Sequence, residues 1–522
     1  MKKQNTTVIM MTALIVALGG LLMGFDASVI SGVVKFIEPE FGLTKLELGW
    51  SVASLTLTAT LAMMLAGPLS DKFGRRTILR YAAVLYAISA IASAIAPSFI
   101  FLVVARMIGG FGVGASLILA PMYIAEIAPP AMRGRMVSFN QLNIVVGISL
   151  AFFTNYLILQ LGKSDASWAM NLKFDEYNWR WMLGLETIPA VLYFFGLFAV
   201  PRSPRWLIMK GETEEAIKIM SRFSNPSEAQ EQILTIKKSL DQEENKEKPG
   251  LKDLFHPSLK LVLTIGIVVA ILQQITGINS VFFYAPMIFE QSGLGTDASF
   301  IQAILVGLVN LVFTVVAILF IDKLGRKPLL SFGVAGIAIS MFVLAYGFSD
   351  ATYSITNESI GELPQEIDQS ALDPVLNNVY TSEKDFQIAI EAALGEEVYK
   401  THKNQIIISG IHMNTMLILF AILAFVASFA ISIGPVMWVL FSELFPNKIR
   451  GIAISFVGLI NSAVSFLVQW IFPWELEALG SVTTFAIYGV FAALGLIFIV
   501  RVIPETKGKS LEELEAQLVT KA

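Results

Sequence analysis

The sequence predicts an all-α membrane protein whose twelve transmembrane helices form two bundles of six. Of its 522 residues, 55% are hydrophobic and only 15% are charged, whereas soluble domains carry about 25% charged residues. The apolar stretches are continuous and lack the polar/apolar alternation of barrel strands. A bilayer core about 30 Å thick needs roughly 20 mainly apolar residues per helix, and twelve segments meet that length.

The predicted spans are separated by polar loops and are 8–34, 47–70, 77–96, 99–125, 135–160, 181–200, 260–290, 298–321, 328–348, 408–441, 450–472 and 481–503. The first span follows MKKQNTT, as the apolar segment of a signal peptide would. The apolar run from Val8 to Phe25 exceeds the roughly 7–15 residues of such a segment, and no A-x-A-like cleavage site follows it. It is therefore predicted to be a membrane span.

Basic residues concentrate in four short loops, which lie between spans 2–3, 4–5, 8–9 and 10–11 and have the sequences DKFGRR, PPAMRGR, DKLGRK and PNKIR. Short cytoplasmic loops carry an excess of Lys and Arg. The pattern predicts a multi-pass protein of the cell membrane with both termini in the cytoplasm. The 6–7 linker would then be cytoplasmic and the region 350–405 would lie outside.

Three motifs of the first half recur in the second. DKFGRR (71–76) returns as DKLGRK (322–327), the spacing of Glu126 to Arg133-Gly134 returns as Glu443 to Arg450-Gly451, and PRSPRW (201–206) is echoed by PETKG (504–508). Two bundles related by an axis along the membrane normal usually hold substrate at the midplane between them. The predicted domains are a bundle 1–200, a linker 201–259, a bundle 260–503 and a tail 504–522.

The second half carries an insertion at 350–405, with 11 acidic residues against 3 lysines. We interpret it as a solvated acidic outer loop with some helix, the alternative being a cap that recruits substrate or a partner. In the linker, GETEEAIKIMSRF and SEAQEQILTIKKSL have amphipathic spacing. They are predicted to form short helices beneath the bundle that act as a structural latch.

The sequence has few of the residues and motifs that enzymes use for catalysis. The chain has no cysteine and only three histidines, which do not cluster, so disulfides, thiol nucleophiles and a metal site are not expected. It also lacks a nucleophile–base arrangement and a phosphate-binding glycine loop, and the glycines of GGFGVG suit close helix packing. The sequence predicts neither an enzyme nor a nucleic-acid partner.

Among the charged residues inside the predicted spans three stand out, all of them in the first half: Asp26, Arg106 and Glu186. Such residues are costly in a bilayer and usually functional. Asp26 and Arg106 are placed to form a pair, which could simply fix helix packing. Alternatively, Asp26 binds a proton when it loses Arg106, because desolvation raises the pKa of a carboxylate and a nearby cation lowers it.

Amides cluster in QQITGIN of the seventh span, where Gln273, Gln274 and Asn279 cannot share one face of a regular helix. A break at Gly277 would let them converge on a cavity. Other spans contribute Gln141, Asn310, Asn461 and Trp438, the last beside an expected break at Gly434-Pro435. Together, amides and an indole face suit a neutral polyhydroxylated ligand. Alternatively, any one of these amides could serve only to hold two helices together by a hydrogen bond.

The motifs DKFGRR, RGRMVSFNQ, PRSPRWL, QQITGIN, DKLGRKP, GPVMWVLFSELFP and PETKGKSLEE together resemble the sugar porter family of the major facilitator superfamily, including bacterial proton/xylose symporters and glucose facilitators. The resemblance implies the major facilitator fold and alternating access to one monosaccharide, with no cofactor except a coupling proton. It implies proton-coupling roles for Asp26, Arg106 and Glu186. The implied sugar contacts are Gln141, Gln273, Gln274, Asn279, Tyr284, Asn310, Trp438 and Asn461.

Charged residues at the helix ends are expected to form a gating network, with ion pairs that break and re-form between access states. They are Asp71, Arg75, Arg76, Glu126, Arg133, Asp322, Arg326, Lys327, Glu443 and Arg450. Three positions depart from the family pattern: Arg202 replaces a usual Glu, Phe283 replaces a Tyr of the xylose symporters, and Asn461-Ser462 replaces their Gln-Trp pair. Asn at the first position of that pair is what glucose facilitators have.

The leading hypothesis is a proton-driven importer of a pentose or hexose, acting as a monomer in the lipid bilayer. A facilitator that only equilibrates sugar is the alternative, favoured by Asn461 and disfavoured by Asp26. A transporter-like sugar sensor is the third possibility, although only a short segment follows Pro504.

Overall fold

The computed structural model describes residues 6–128, 132–223, 226–244, 250–361, 363–364, 366–509 and 511–518. The first half contains five long helices followed by three short ones. Their bounds are α1 Thr6–Phe41, α2 Lys45–Phe73, α3 Arg75–Ala94, α4 Phe99–Ile127, α5 Arg133–Leu161, α6 Ser167–Asn171, α7 Asn178–Gly184 and α8 Thr187–Ala199. α7 and α8 together make the sixth span.

The linker contains the helices that the amphipathic spacing predicts. Its elements are α9 Pro204–Met209, α10 Thr213–Phe223, α11 Pro226–Glu244 and the 3-10 helices Leu251–Phe255 and Pro257–Leu259. The apolar side of α10, with Ile219, Met220 and Phe223, is buried in the same core as α1 and α4. Burial of this apolar face attaches the linker to the first half.

The second half has the same order of long helices with an insertion before its fourth span. Its elements are α12 Lys260–Ile275, α13 Ile278–Gln291, α14 Thr296–Leu324, α15 Arg326–Ser349, β1 Thr352–Tyr353, α16 Asn357–Ile360, a 3-10 helix Gln369–Val375, α17 Glu383–Leu394, α18 Glu396–Gly410, β2 Ile411–His412, α19 Thr415–Ile431, α20 Ile433–Leu444, α21 Arg450–Val502 and α22 Leu511–Leu518.

Eleven helical segments of the described chain are long and apolar enough to cross a membrane. The last of them, α21, has 53 residues and leaves helical geometry at Gly480, where φ is 79°. The hydroxyl of Tyr488 bonds Glu475 at 2.6 Å, a contact that a straight helix could not make across 13 residues. The chain therefore reverses at Gly480, and α21 supplies the eleventh and twelfth spans.

The tenth span differs from its predicted bounds in two ways. Residues 408–410 belong to α18 of the insertion, and the span begins at Thr415, where the side chain of Asn414 caps α19. The expected break at Gly434-Pro435 lies instead at Ser432, with φ −123° and ψ −104°. Pro435 has no N–H to donate to the carbonyl of Ile431, so α19 ends before it, and Pro435 fits in the first turn of α20.

The insertion is more ordered than the solvated loop that its acidic composition indicates. β1 and β2 pair antiparallel and bring its two ends together. Between them, Ile355, Phe386 and Ile390 are completely buried in a core that contains only residues of this insertion, from Ala351 to Met413. The acidic residues lie around a small folded subdomain.

We call the end of the bundle that carries this subdomain the insertion end, and the opposite end, with 71–76 and 322–327, the basic end. At the insertion end the two halves are in direct contact. α2 crosses α21 so closely that a Cβ on Gly49 would overlap the carbonyl oxygen of Trp470. Lys35 pairs with Glu290 across the halves, and Lys163 pairs with Asp297 at 2.6 Å.

The hydrophobic cores show the same asymmetry. One core runs from Phe25 and Val29 of the first half into α12–α15 and α19–α21 without interruption. The second core, around Tyr123 and Leu197, contains only residues of the first half and its linker. At the basic end the pair of Arg75 with Glu126 and that of Arg326 with Glu443 each lie within one half. Among the described residues, these direct contacts between the two bundles lie at the insertion end, which is therefore closed, whereas the ion pairs of the basic end stay within one half.

We predict that Gly49→Val opens the insertion end. The added side chain overlaps the backbone of α21, so the closed state loses stability relative to the state open at that end. The chain has no cysteine, so a single Thr56→Cys can report access. Labelling of this cysteine by an impermeant maleimide added from the insertion side should rise about fivefold or more, which corresponds to about 1 kcal/mol or more.

Gly67→Val on the same helix is the matched control, because a Cβ there meets no atom within 4 Å. Its labelling should equal that of the parent protein. Equal labelling of the Gly49 and Gly67 variants would show that the α2–α21 crossing does not hold the insertion end closed.

Candidate functional site

The seventh span breaks where the sequence predicts. α12 ends at Ile275 and α13 starts at Ile278, with Gly277 between them at φ 87°. Only glycine adopts this left-handed backbone without strain. The Tyr488 ring also lies against Gly277, so a Cβ would overlap it. The break reorients the chain between Gln274 and Asn279.

Because of this reorientation, the three amides of the seventh span come together. Asn279 Nδ2 donates to Gln274 Oε1 at 2.7 Å, and Gln274 Nε2 donates to Gln273 Oε1 at 3.1 Å. Gln273 Nε2 in turn lies 3.3 and 3.2 Å from the carbonyl oxygens of Ile433 and Gly434, just after the break in the tenth span. The predicted convergence of these amides is confirmed.

Asn461 of the eleventh span completes the group. Its Nδ2 donates to Gln273 Oε1 at 2.8 Å and to the carbonyl of Ala270 at 2.9 Å, and its Oδ1 accepts from Gln274 Nε2 at 3.1 Å. We call Gln273, Gln274, Asn279 and Asn461 the amide cluster. These side chains bond one another through amide groups, each of which can also donate to and accept from a hydroxyl.

A hydrogen-bonded series continues from the amide cluster into the first half. Asn279 Nδ2 bonds Ser465 Oγ at 2.7 Å, and Gln469 Nε2 bonds the same oxygen at 2.7 Å. Gln469 Oε1 then accepts from Thr56 Oγ1 of α2 at 2.9 Å. Sequence reasoning missed Ser465 and Gln469, although their four-residue spacing from Asn461 puts all three on one helix face.

The other predicted sugar contacts are outside the amide cluster. Tyr284 is completely buried and donates its hydroxyl to the carbonyl of Gln469 at 3.0 Å. Asn310 is buried, whereas Gln141 is exposed. Trp438 is 47% exposed and packs edge-on against Phe441. No hydrogen bond joins any of these four to the amide cluster in the described part of the chain.

The charged residues of the first half form a second buried polar site. Arg106 Nη1 lies 3.4 Å from Asp26 Oδ1, and Arg106 Nε donates to the carbonyl of Ser51 at 3.0 Å. Both charged side chains are 2% exposed. The second oxygen of Asp26 faces Gly109 and has no hydrogen-bond partner among the described residues. The pairing that the sequence suggests is confirmed.

Glu186 lies at the break between α7 and α8, where the sixth span is interrupted. It is 2% exposed, and its Oε1 has no hydrogen-bond partner among the described residues. It lies within electrostatic range of both Asp26 and Arg106. A buried carboxylate oxygen without a hydrogen bond is energetically costly, and ionisable groups inside membrane spans are usually functional.

Several of the residues predicted to act in gating form two matching networks at the basic end. Arg75 bonds Asp71 at 2.6 Å and Glu126 at 3.1 Å, and Glu126 accepts from Ser203. In the second half, Arg326 bonds Glu443 at 2.8 Å, and Glu443 accepts from Thr506 at 2.6 Å.

The repeat thus relates the two networks, and Ser203 and Thr506 are members that sequence reasoning missed. These hydroxyls belong to the Pro-x-Ser and Pro-x-Thr segments that correspond to each other in the sequence repeat.

Three other residues predicted for this network make backbone hydrogen bonds in place of the expected ion pairs. Arg76 Nη1 donates to the carbonyl of Val200 at 3.0 Å, and Arg450 Nε donates to that of Phe445 at 3.0 Å. Lys327 enters through its backbone N–H, which bonds Glu505. The side chains of Arg133 and Asp322 are outside the described part of the structure.

Comparison with known proteins agrees with the architecture. A family model described as "Sugar (and other) transporter" matches residues 12–361 and 394–518. The unmatched segment between these two ranges lies within the insertion subdomain.

Two curated relatives are bacterial. The arabinose-proton symporter of Bacillus subtilis (strain 168) is 36% identical over 502 residues, which cover 95% of this chain and 92% of the relative. The D-xylose-proton symporter of Escherichia coli (strain K12) is 36% identical over 547 residues, covering 98% and 96%.

Among solved structures, the inward open conformation of the xylose transporter XylE from E. coli aligns with a TM-score of 0.74 and 34% identity, covering 98% of this chain and all of that one. The family match, the identities above 30% and the full-length structural alignment agree. The chain therefore belongs to the sugar transporter family of the major facilitator superfamily and is a multi-pass membrane transporter, not an enzyme.

Proposed function

We propose that this chain imports a monosaccharide together with a proton by alternating access. The observation that carries the proposal is the buried Asp26–Arg106 pair, in which one oxygen of Asp26 has no hydrogen-bond partner within the described part of the chain. The arabinose and xylose relatives are named as proton symporters, which supports the same assignment. Proton and sugar would bind in different halves, the proton near Asp26 and the sugar at the amide cluster.

The sugar site follows from the chemistry of the amide cluster. Each amide offers a donor and an acceptor, so the four side chains match hydroxyl groups that both donate and accept. A sugar would replace the bonds that now join these side chains to each other. Trp438 on the neighbouring α20 is exposed and would supply an apolar face for the C–H side of the ring.

Protonation is linked to the access state through α2. Arg106 holds the carbonyl of Ser51, which lies next to Gly49 and Trp50 at the contact with α21. When Asp26 is protonated it loses its charge, so Arg106 loses its ion-pair partner and remains bonded to α2 alone. In this way a proton in the first half alters the helix that closes the insertion end.

The proposed orientation puts the basic end in the cytoplasm, because the short loops there are rich in Lys and Arg. Both termini would then be cytoplasmic, and the insertion subdomain would lie outside the cell. The state described here, closed at the insertion end, would be the state that releases sugar inward.

We predict that Asp26→Asn abolishes accumulation of sugar against its gradient, because a permanently neutral amide cannot bind and release the coupling proton. Exchange of labelled for unlabelled sugar should persist within about threefold of the parent rate, since it needs no net proton movement. Both are measured in proteoliposomes with and without an imposed pH gradient.

Glu176→Gln, the same chemical change at a half-exposed carboxylate paired with Lys173, should keep accumulation. If Asp26→Asn still accumulates sugar in response to the pH gradient, coupling through Asp26 is wrong. If the parent protein exchanges sugar but ignores the gradient, the chain is a facilitator.

We also predict that Asn461→Ala weakens sugar binding by about fivefold or more, because a buried polar group left without its hydrogen-bond partner costs about 1–3 kcal/mol. The substitution removes partners of both Gln273 and Gln274. The measurement is sugar affinity by competition against a labelled substrate, using a panel of pentoses and hexoses that also identifies the preferred sugar.

Asn155→Ala is the matched control. Asn155 is equally buried and also bonds a carbonyl of another helix, that of Val29, but lies outside the amide cluster. It should lower thermal stability without changing sugar affinity. An affinity loss of the same size in both variants would contradict a specific role of the amide cluster.

A further inference from the structure

A strongly cationic pocket lies at the basic end, between the start of α3 and the segment 201–206. Its volume is about 260 Å³. Four arginines line it, Arg75, Arg76, Arg80 and Arg202, and none of its lining residues is acidic. Arg75 is neutralised by Asp71 and Glu126, and Arg202 pairs with two glutamates of the linker, which leaves Arg76 and Arg80 to set the charge of the pocket.

The equivalent place in the second half contains a carboxylate. Glu505 accepts hydrogen bonds from the backbone N–H groups of Arg326 and Lys327, each at 3.1 Å, at the start of α15. The preceding residue, Gly325, has φ 94°, and its counterpart Gly74 before α3 has φ 92°. The two halves therefore present the same helix start, and in the second half an anion occupies it.

In the first half the corresponding anion is missing. Pro201-Arg202-Ser203 matches Pro504-Glu505-Thr506, so Arg202 stands where the repeat has Glu505. Arg202 turns away to Glu212 and Glu215 of the linker, at 3.2 and 3.4 Å. Gly74 gives α3 no side-chain cap either.

Two guanidinium groups of the pocket have unused donors. The Nε atoms of Arg76 and Arg80 are buried and have no hydrogen-bond partner among the described residues. Their Nη atoms donate to the carbonyls of Val200 and Leu197, and the Arg80 guanidinium also lies over the Phe198 ring, 3.9 Å from its centre. Free N–H groups at a helix start together with arginines are the usual donors to phosphate.

We propose that this pocket binds a phosphate group, supplied either by a phospholipid headgroup or by a soluble phosphate ester. The bound phosphate takes the place that Glu505 fills in the second half and joins the 201–206 segment to the start of α3. The site is separate from the amide cluster, so this proposal does not depend on which sugar the protein carries.

The test measures thermal unfolding of the full chain purified in a phosphate-free maltoside detergent, in chloride buffer of constant ionic strength. The probes are inorganic phosphate, glycerol 3-phosphate and short-chain phosphatidylglycerol. Saturating ligand should raise the Tm by about 2–5 °C. A rise with phosphatidylglycerol alone identifies a lipid headgroup, and a rise with the soluble probes as well identifies a soluble phosphate.

The variant Arg202→Glu restores the carboxylate of the repeat and should remove the rise, because its side chain occupies the site. Its elution profile and sugar exchange report whether it is folded. Arg80→Gln is a second variant, which should weaken phosphate binding about tenfold. Lys218→Glu, the same charge reversal at an exposed linker position, should respond as the parent protein does. An equal rise in Arg202→Glu and the parent, or no rise with any probe, would overturn the proposal.

Discussion

The left-handed backbone at Gly277 is the constraint on which the polar centre of this protein depends. A continuous helix would direct Gln273, Gln274 and Asn279 to different sides, and some of their amides would face lipid without partners. The break turns α13 relative to α12, so the three amides meet Asn461 and satisfy one another. Broken backbone is tolerated at this depth because the protein surrounds it.

The two halves divide the chemistry between them. Ionisable groups are buried in the first half at Asp26, Arg106 and Glu186, whereas the second half holds the neutral amides. The helix α2 takes part in both polar sites. Its Thr56 bonds Gln469 of the second half, and the carbonyl of its Ser51 accepts a hydrogen bond from Arg106 of the first half. α2 is therefore the element through which charge in one half can affect the polar site in the other.

At the basic end the two halves have the same type of hydrogen-bonded network but differ in the charge at the start of the third span. In each half an arginine at the start of the third span bonds a glutamate, and that glutamate accepts from a hydroxyl of the segment after the bundle. Only the second half adds a carboxylate, Glu505, at the helix start. In the first half, Arg202 changes the sign of that charge, and a cationic pocket results.

The features that the sequence determined by itself depend on residues that are close together in the chain or on motifs that repeat along it. The spans follow from apolar runs of sufficient length, the two bundles from repeated motifs, and the break from a glycine between amides. The Asp26–Arg106 pair was foreseeable because few other charges lie in the spans.

Only the tertiary structure decided which groups meet. Ser465, Gln469 and Thr56 join the amides because of how α2, α13 and α21 are rotated and shifted against each other. Packing between distant segments also decides the break at Ser432, the core of the insertion and the closure at the insertion end. Local composition predicts that a helix is apolar enough to cross the membrane. It does not determine how that helix is rotated and shifted against its neighbours, because packing between distant segments sets both.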